Sequence, residues 1–427
     1  MSTKEIKILS LSTSDSKGGA SIAAYRIHNA LNKFPNNFFS LLLVARKYTL
    51  DNKVISYYPL SLKLLYFIKL FISRKIQSLQ KSINPIVHSG NYFPSFIHKY
   101  INKSNCDIVH IHWVQDEFLP ISSIIKINKP IIWTLHDSWA FCGTEHHPLD
   151  LNDNRYKEGY YKYNRNNQNN SFIKLFNPDL DRFNWSKKRL LISKKINFIA
   201  PSKWMKNCLK DSYLFSNNYC EIIPNPVPDI FYSMKNISKK KARLKFNFPI
   251  NKPILLFIAN RANKDINKGW HLIKDILFDI SKSFDFHLLI IGGECDVKLY
   301  KKSSLQIIER IESPHQLALI YKSVSLLLLP SLIETLPQVA TECITTGTPV
   351  IAFKGSGIED VVINNITGFL VERFNKRNFY ESLLFFLRNC ENKFDNSCYN
   401  YSLNNWKEKI IVSKYRHLCE NILSNQS

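Results

Sequence analysis

The chain has 427 residues, of which 45% are hydrophobic and 22% charged. That length accommodates two domains of ordinary size, and that apolar content excludes a disordered or low-complexity protein. Lys and Arg number 58 against 34 Asp and Glu, so the net charge of +24 points to acidic partners: nucleotide diphosphates, anionic lipid or nucleic acid.

Nine cysteines, an odd number with no C-x-x-C, are scattered from Cys106 to Cys419. They read as reduced thiols rather than a disulfide framework or a zinc site. The opening MSTKEIKILSLS lacks the apolar core of a signal peptide, and no run of about 18 apolar residues follows. The expectation is a cytoplasmic protein with nothing crossing a membrane.

In chain order, Ile6 to Ser12 reads as a buried strand. Lys17-Gly18-Gly19-Ala20-Ser21 follows, then a helical pattern from Ile22 to Leu31. Strand, glycine turn and helix open a nucleotide-type α/β domain, and Gly18 and Gly19 would let a phosphate or sugar approach the backbone closely. Phe38 to Ala45 is the second strand. From Asn52 to Cys106 there is no acidic residue but eight basic ones. Within that stretch, residues 60–81 carry Leu, Phe and Tyr with interleaved Lys and Arg. A basic amphipathic helix of this kind suits an anionic membrane surface. A core-packing helix with a solvated basic edge is the other reading.

Asp107 to His112 and Ile131 to Leu135 are short strands, the first ending in His112 and the second running into His136, which places both histidines at the carboxyl edge of a sheet. Residues 143–192 are rich in Asn, Tyr and Lys and lack period; they read as a long insert, a mobile loop over the site. Asp179-Leu180-Asp181 within it is formally a D-x-D, but no strand precedes it and no metal is assigned. Ile196 to Ala200 closes the first domain. Pro224-Asn225-Pro226-Val227-Pro228 is the linker.

In the second domain Ile254 to Ala259 is a strand, with Arg261 and Lys268 after it and Lys268-Gly269 opening the next helix. Phe286 to Ile291 is a strand ending in Gly292-Gly293. The stretch from 330 to 357, PSLIETLPQVATECITTGTPVIAFKGSG, lies between two wholly apolar strand segments, one before it and one within its end. Pro337 suits a helix start, giving a helix from about Leu336 to Thr345 with Gly347 beyond its end. Glu334 then lies just outside the helix and Glu342 about two turns in, a separation of roughly 12 Å. That is the reach from a sugar ring past a diphosphate to a ribose, and helix N–H groups face the space between. The chain divides as 1–224, 225–400 and a terminal helical segment 401–427.

PSLIETLPQVATECITTGTPVIAF resembles the E-x7-E signature of retaining GT-B glycosyltransferases of family 4. KGGASIAAYRIHNAL resembles that family's N-terminal loop and first helix. WTLHDSWAFCGTEHH resembles the branch found in bacterial exopolysaccharide and lipopolysaccharide biosynthesis, although of that branch's cysteines this chain keeps only Cys142 here. The resemblance implies an α/β GT-B fold: two Rossmann-like doubly wound domains facing a central cleft, with a C-terminal helix crossing back to the first domain. It implies transfer of a sugar from a nucleotide-sugar donor to a saccharide or lipid-linked acceptor, with retention and without a metal or cofactor. His136 would lie beside the transferred sugar and Glu334 would orient it. Arg261 and Lys268 would hold the diphosphate, Leu336 and Pro337 would line the donor site, and Glu342 would take the ribose. Gly18 and Gly19 would border the acceptor or diphosphate. A GT-B epimerase or sugar phosphorylase is an alternative. A non-enzymatic binder of nucleic acid or anionic surfaces rests on charge alone, and no nucleic-acid partner is expected.

Overall fold

In the computed structural model the apolar runs form two parallel sheets. The structure describes residues 5–35, 37–80, 82, 84, 86–148, 150–161, 178–259, 265–293, 295–300, 302–389 and 393–425.

The first sheet contains β1 (Ile6–Ser14), β2 (Phe38–Arg46), β3 (Val54–Ser56), β4 (Ile108–Ile111), β5 (Ile131–Thr134), β6 (Ile196–Ala200) and β7 (Cys220–Ile222). Its order is β3-β2-β1-β4-β5-β6-β7 and its pairings are parallel, with Ile8 opposite Ile108 and Leu11 opposite Ile111. The second contains β8 (Ile254–Ile258), β9 (His287–Ile291), β10 (Ser304–Ile308), β11 (Leu326–Leu329), β12 (Val350–Phe353) and β13 (Gly368–Val371), in the order β10-β9-β8-β11-β12-β13, again parallel. Helices cover both faces of such sheets, so central strands read as unbroken apolar runs rather than alternations. β11, LLLL, and β5, IIWT, are buried at every position.

The chain forms two compact units, residues 1–226 with 411–427, and residues 227–410. In the first, the Glu408–Ser424 helix lays Ile411, Val412, Tyr415 and Leu418 against Ile6, Ile8, Ile27 and Ile108. The same chain that leaves the first unit at Pro226 thus returns to close its core. Its connection, the Asp395–Asn405 helix, belongs to the second unit, where Cys398 and Trp406 are buried.

Each sheet has one place where strand order reverses: between β1 and β4 in the first, between β8 and β11 in the second. Loops leaving the carboxyl ends of those strands splay apart, and ligands of doubly wound sheets bind there.

Candidate functional site

In the second unit the loops after β8 and β11 are tied together by one side-chain amide and by close backbone approach. Asn267 donates its side-chain amide to the Ile333 carbonyl at 2.9 Å and accepts from the Ile333 N–H at 3.0 Å. The Asn267 carbonyl accepts from Leu332 N–H at 2.8 Å. Gly269 follows in a left-handed conformation, φ 69°, and a Cβ there would stand 1.9 Å from the Pro330 carbonyl oxygen. Only glycine fits both constraints. From the other side, Ser356 Oγ accepts the Glu334 N–H at 3.0 Å and Gly357 N–H donates to the Glu334 carbonyl at 2.8 Å.

This double clamp presents two charges to each other. Lys268 Nζ is 2.7 Å from Glu334 Oε1, with both side chains partly exposed. Burial alone would lower the Lys268 pKa, but the Glu334 carboxylate and its hydrogen bond raise it, so the ammonium is held charged. The Gln338–Thr345 helix starts just beyond. Its first helical residue is Gln338 rather than Leu336, and Pro337 is the N-cap, with no side chain capping the end. Pro337 has ψ 100°, so the turn into the helix is completed one residue later than its sequence position suggests. Leu336 is buried beside the cap, and Glu342 is buried one turn in, at 4% exposure. Arg261 lies within 260–264, outside the described residues.

In the first unit the loops after β1, β4 and β5 carry Gly18, His112 and His136. Gly18 has φ 97° and precedes the Gly19–Asn32 helix, with both glycines exposed. His112 and His136 meet at the sheet's carboxyl edge, Nδ1 to Nε2 at 3.0 Å with rings stacked 5.3 Å apart. His110, inside β4, packs on His112 at 3.9 Å and bonds Thr134 Oγ1 at 2.7 Å through Nε2. Burial pushes His136 down to about 4 and His110 to about 3, and lowers His112 as well. These imidazoles are neutral, hydrogen-bonding groups at pH 7. His112 Nε2 is buried without a hydrogen-bond partner among the described residues.

The segment after His136 is fixed by the described parts of the 143–192 insert, which pack into the unit where the sequence suggested a mobile loop; residues 162–177 of the insert lie outside the described residues. Its sequence lacks period because it packs through scattered aromatics: Tyr156, Tyr160 and Trp185 join the core of the unit. Lys188, at 0% exposure on the Leu180–Lys188 helix, donates to the carbonyls of Trp139, Cys142 and Gly143. Desolvation lowers its pKa to about 7. Asp137 takes hydrogen bonds from Trp113 Nε1 at 2.9 Å and meets His146 Nδ1 at 2.6 Å.

The formal D-x-D divides its roles. Asp179 caps the Leu180–Lys188 helix by accepting the Arg182 N–H. Asp181 is buried, accepting from the Thr144 N–H at 3.0 Å, the Thr144 hydroxyl and Gln80 Nε2 at 2.8 Å. His88, Glu145 and Asp181 bring ligand-type atoms within 4.8 Å of one another. The Arg155 guanidinium lies 3.3 Å from Glu145 and 3.7 Å from Asp181, so the positive charge such a cluster needs is supplied by the chain. Sequence reasoning missed this network, whose partners are up to about a hundred residues apart. It also missed Asn267, for which the turn-forming run Asp265-Ile266-Asn267-Lys268-Gly269 was the available signal.

Both units thus have the architecture of the GT-B class: parallel sheets with ligand loops at their reversal points. Residues 73–229 match the model of Glycosyltransferase Family 4, and residues 238–404 match that of Glycosyl transferases group 1. Together these place the chain among the GT-B glycosyltransferases. An uncharacterized glycosyltransferase of Methanocaldococcus jannaschii is 33% identical over 127 residues, which is 27% of this chain and 35% of that protein. The match therefore spans about a third of that curated relative's length. Sucrose-phosphate synthase from Thermosynechococcus elongatus superposes with a TM-score of 0.64 at 15% identity, covering 99% of this chain and 100% of that one. The Anabaena protein HepE, solved with UDP and glucose, superposes with a TM-score of 0.59 at 12% identity, covering 97% and 100%.

Proposed function

We propose that the chain transfers a hexosyl group from a nucleotide-sugar to a saccharide or lipid-linked acceptor, with retention and without a metal, in bacterial cell-surface polysaccharide biosynthesis. The observation that carries this is the Lys268–Glu334 pair at 2.7 Å, held beside the Gln338–Thr345 helix N-terminus at the reversal point of the second sheet. An ammonium and a helix N-terminus together suit a departing diphosphate. Glu334 offers acceptor oxygens to sugar hydroxyls, and Glu342 takes the ribose end. His136, neutral, offers a hydrogen bond to the sugar without adding charge. This reading assigns no second carboxylate among the described residues as nucleophile, so the acceptor hydroxyl attacks from the face the diphosphate leaves, and the leaving phosphate oxygen takes its proton. The resemblance of WTLHDSWAFCGTEHH supports the lipopolysaccharide and exopolysaccharide branch. In this reading the protein works peripherally at the inner face of the cell membrane, where a lipid-linked acceptor is found.

The HepE complex with UDP and glucose makes UDP-sugars the first donors to try. Purified protein is incubated with UDP-, GDP- and ADP-sugars while thermal shift and nucleotide release are followed. One donor should raise the melting temperature, and Lys268→Ala or Glu342→Ala should abolish that response. A donor response that survives both substitutions sinks the assignment.

A further inference from the structure

The Leu60–Ser78 helix is docked backwards for a surface helix. Its contact with the unit is a narrow stripe at helical spacing: Tyr66, Leu70, Ser73 and Gln77. Tyr66 is buried and stacks on Tyr58 at 4.7 Å. Ser73 Oγ donates to Glu117 Oε1 at 2.6 Å, and Gln77 accepts from the Tyr92 hydroxyl at 2.6 Å and donates to Thr144 Oγ1 at 3.2 Å. The stripe is therefore half polar, and it fixes the helix firmly in one rotation.

At about 100° per residue, the sector facing away from that stripe contains Leu60, Leu64, Phe67, Ile68, Phe71 and Ile72. All six are exposed, Leu64 at 70% and Phe71 at 62%. An ordinary amphipathic helix turns this side inward and its charges outward. Here the charges lie on the flanks: Lys63 and Arg74 on one side of the apolar sector, Lys69 on the other. Lys75 sits within the sector, its Nζ 5.6 Å from the Phe71 ring, an arrangement that lets the stem lie along apolar surface while the head reaches out. Lys69 donates to the Pro94 carbonyl at 3.3 Å, and the neighbouring Phe96 is 68% exposed with Lys99 5.0 Å over its ring. Two acids reach this helix: Glu117 on its docked side at Ser73, and Asp116, 3.8 Å from Arg74 and already paired with Arg46 at 2.7 Å.

A patch of this size and continuity is not left to water in an ordinary soluble surface. No helix among the described residues is long and apolar enough to cross a membrane. We propose that the outward face of the Leu60–Ser78 helix is a docking surface for an anionic lipid bilayer. The helix, roughly 28 Å long, lies in the interface plane. Its apolar sector inserts among the acyl chains, and Lys63, Lys69, Arg74 and Lys75 meet the headgroup phosphates. The charge complementarity selects this occupant: a second copy of the chain would bring the same cations against themselves. The inference rests on the peripheral-membrane reading above and deepens it by naming the surface, its rotation and the lipid charge.

The test uses the full chain and vesicles of phosphatidylcholine, alone or mixed with phosphatidylglycerol, in flotation. Wild-type protein should float with the anionic vesicles and stay behind with the neutral ones. Lys63→Gln/Lys69→Gln/Lys75→Gln should weaken partitioning on the order of a hundredfold, at a few-fold per cation. Leu64→Ser/Phe67→Ser/Phe71→Ser should abolish it. Both variants keep the unfolding temperature of the wild type and its thermal shift with the responding nucleotide-sugar, and a wild type that responds to no nucleotide-sugar counts against the donor assignment and not against this surface. Equal binding to both vesicle types overturns the proposal, as does no binding to either. A wild-type dimer in light scattering that Phe67→Ser/Phe71→Ser converts to monomer overturns it in favour of self-association.

Discussion

The two units solve one problem differently. Each is a parallel sheet whose reversal point must hold loops open for a ligand. The second unit does it with close backbone approach and one amide side chain: Asn267 pairs through its side chain with the Ile333 backbone, Gly269 abuts Pro330, Gly357 abuts Thr335, and Lys268 is held charged beside Glu334, both partly wet. The first unit does it with buried side chains: the imidazoles of His110, His112 and His136, the Asp137–His146 pair, and Lys188 under the carbonyls of Trp139 to Gly143. In the function proposed above, the difference follows ligand charge. A diphosphate needs a cation that is already ionised, which solvent access and a paired carboxylate provide. A sugar hydroxyl needs neutral hydrogen-bonding groups, which burial enforces on histidine.

If the first unit depends on its buried polar network, breaking that network should have the largest effect. Asp181→Asn leaves Arg155 and His88 facing a neutral amide at a site that is 1% exposed. Burial would raise the Asp181 pKa, but the hydrogen bond and charge of His88, then the hydrogen bond from Thr144, hold it well below the usual carboxylate range, so the ionised carboxylate is what the site is built around. Arg155 keeps Glu145 and Asp153, so the variant should lose about 1–3 kcal/mol of unfolding free energy in urea, the cost of leaving buried hydrogen-bonding groups poorly satisfied. A loss below about 1 kcal/mol would remove the contrast between the units.

In the second unit the matching change should spare stability and remove function. Lys268→Ala deletes a partly exposed cation, and the fold should lose little. Transfer from the responding nucleotide-sugar should fall about 10²–10³-fold, as when one preorganised donor to a developing negative charge is removed. Steady-state nucleotide release checks it. Glu334→Ala should be non-additive with Lys268→Ala, because each residue fixes the other.

Acid should act on the first unit. His28, His110 and His136 have folded pKa values depressed to about 4, 3 and 4 by burial, against an unfolded value near 6.5. In the intervening window the unfolded chain binds more protons than the folded one. Their neutral burial therefore contributes fully above about pH 6.5 and is lost as pH falls toward 4, on the order of 3 kcal/mol for an imidazole that acts alone. Melting temperature should fall steeply across that window, and His28→Asn should flatten the slope. A flat profile would mean the imidazoles are hydrated.

Much of this was legible beforehand. Both sheets announce themselves as apolar runs, and the strand ends put His112 and His136, 24 residues apart, at one edge because the neighbouring parallel strands β4 and β5 end at the same side of the sheet. Glu334 and Lys268 could be named from the signature and the turn. What stayed hidden depended on distance or direction. Gln80 and Asp181 meet across about a hundred residues, and no local pattern predicts that a lysine such as Lys188 is buried to hold three carbonyls. The 60–81 stretch shows amphipathicity in sequence, but periodicity gives a face and not which side touches the protein. Polar partners at Ser73 and Gln77 decide that, and they make the apolar side the outer one.

The smallest expected effects separate the two designs most cleanly, because they change one methyl group. A Cβ at Gly357 would sit 1.9 Å from the Thr335 carbonyl oxygen and 2.9 Å from that of Glu334. A Cβ at Gly18 would meet nothing within 4 Å, although φ there is 97°. Gly357→Ala should therefore push the Glu334 loop away from Lys268, costing about 1–3 kcal/mol by overpacking and weakening the donor-induced thermal shift. Gly18→Ala meets no atom but must hold φ 97° and ψ 153°, a nearly glycine-only conformation costing about 1–3 kcal/mol, and should leave that shift intact. If the backbone clamp is what positions the charged pair, loss of donor response must track the clash and not the loss of stability. Equal donor responses in Gly18→Ala and Gly357→Ala, at matched melting temperatures, would show that the pair is positioned by its own ion contact instead.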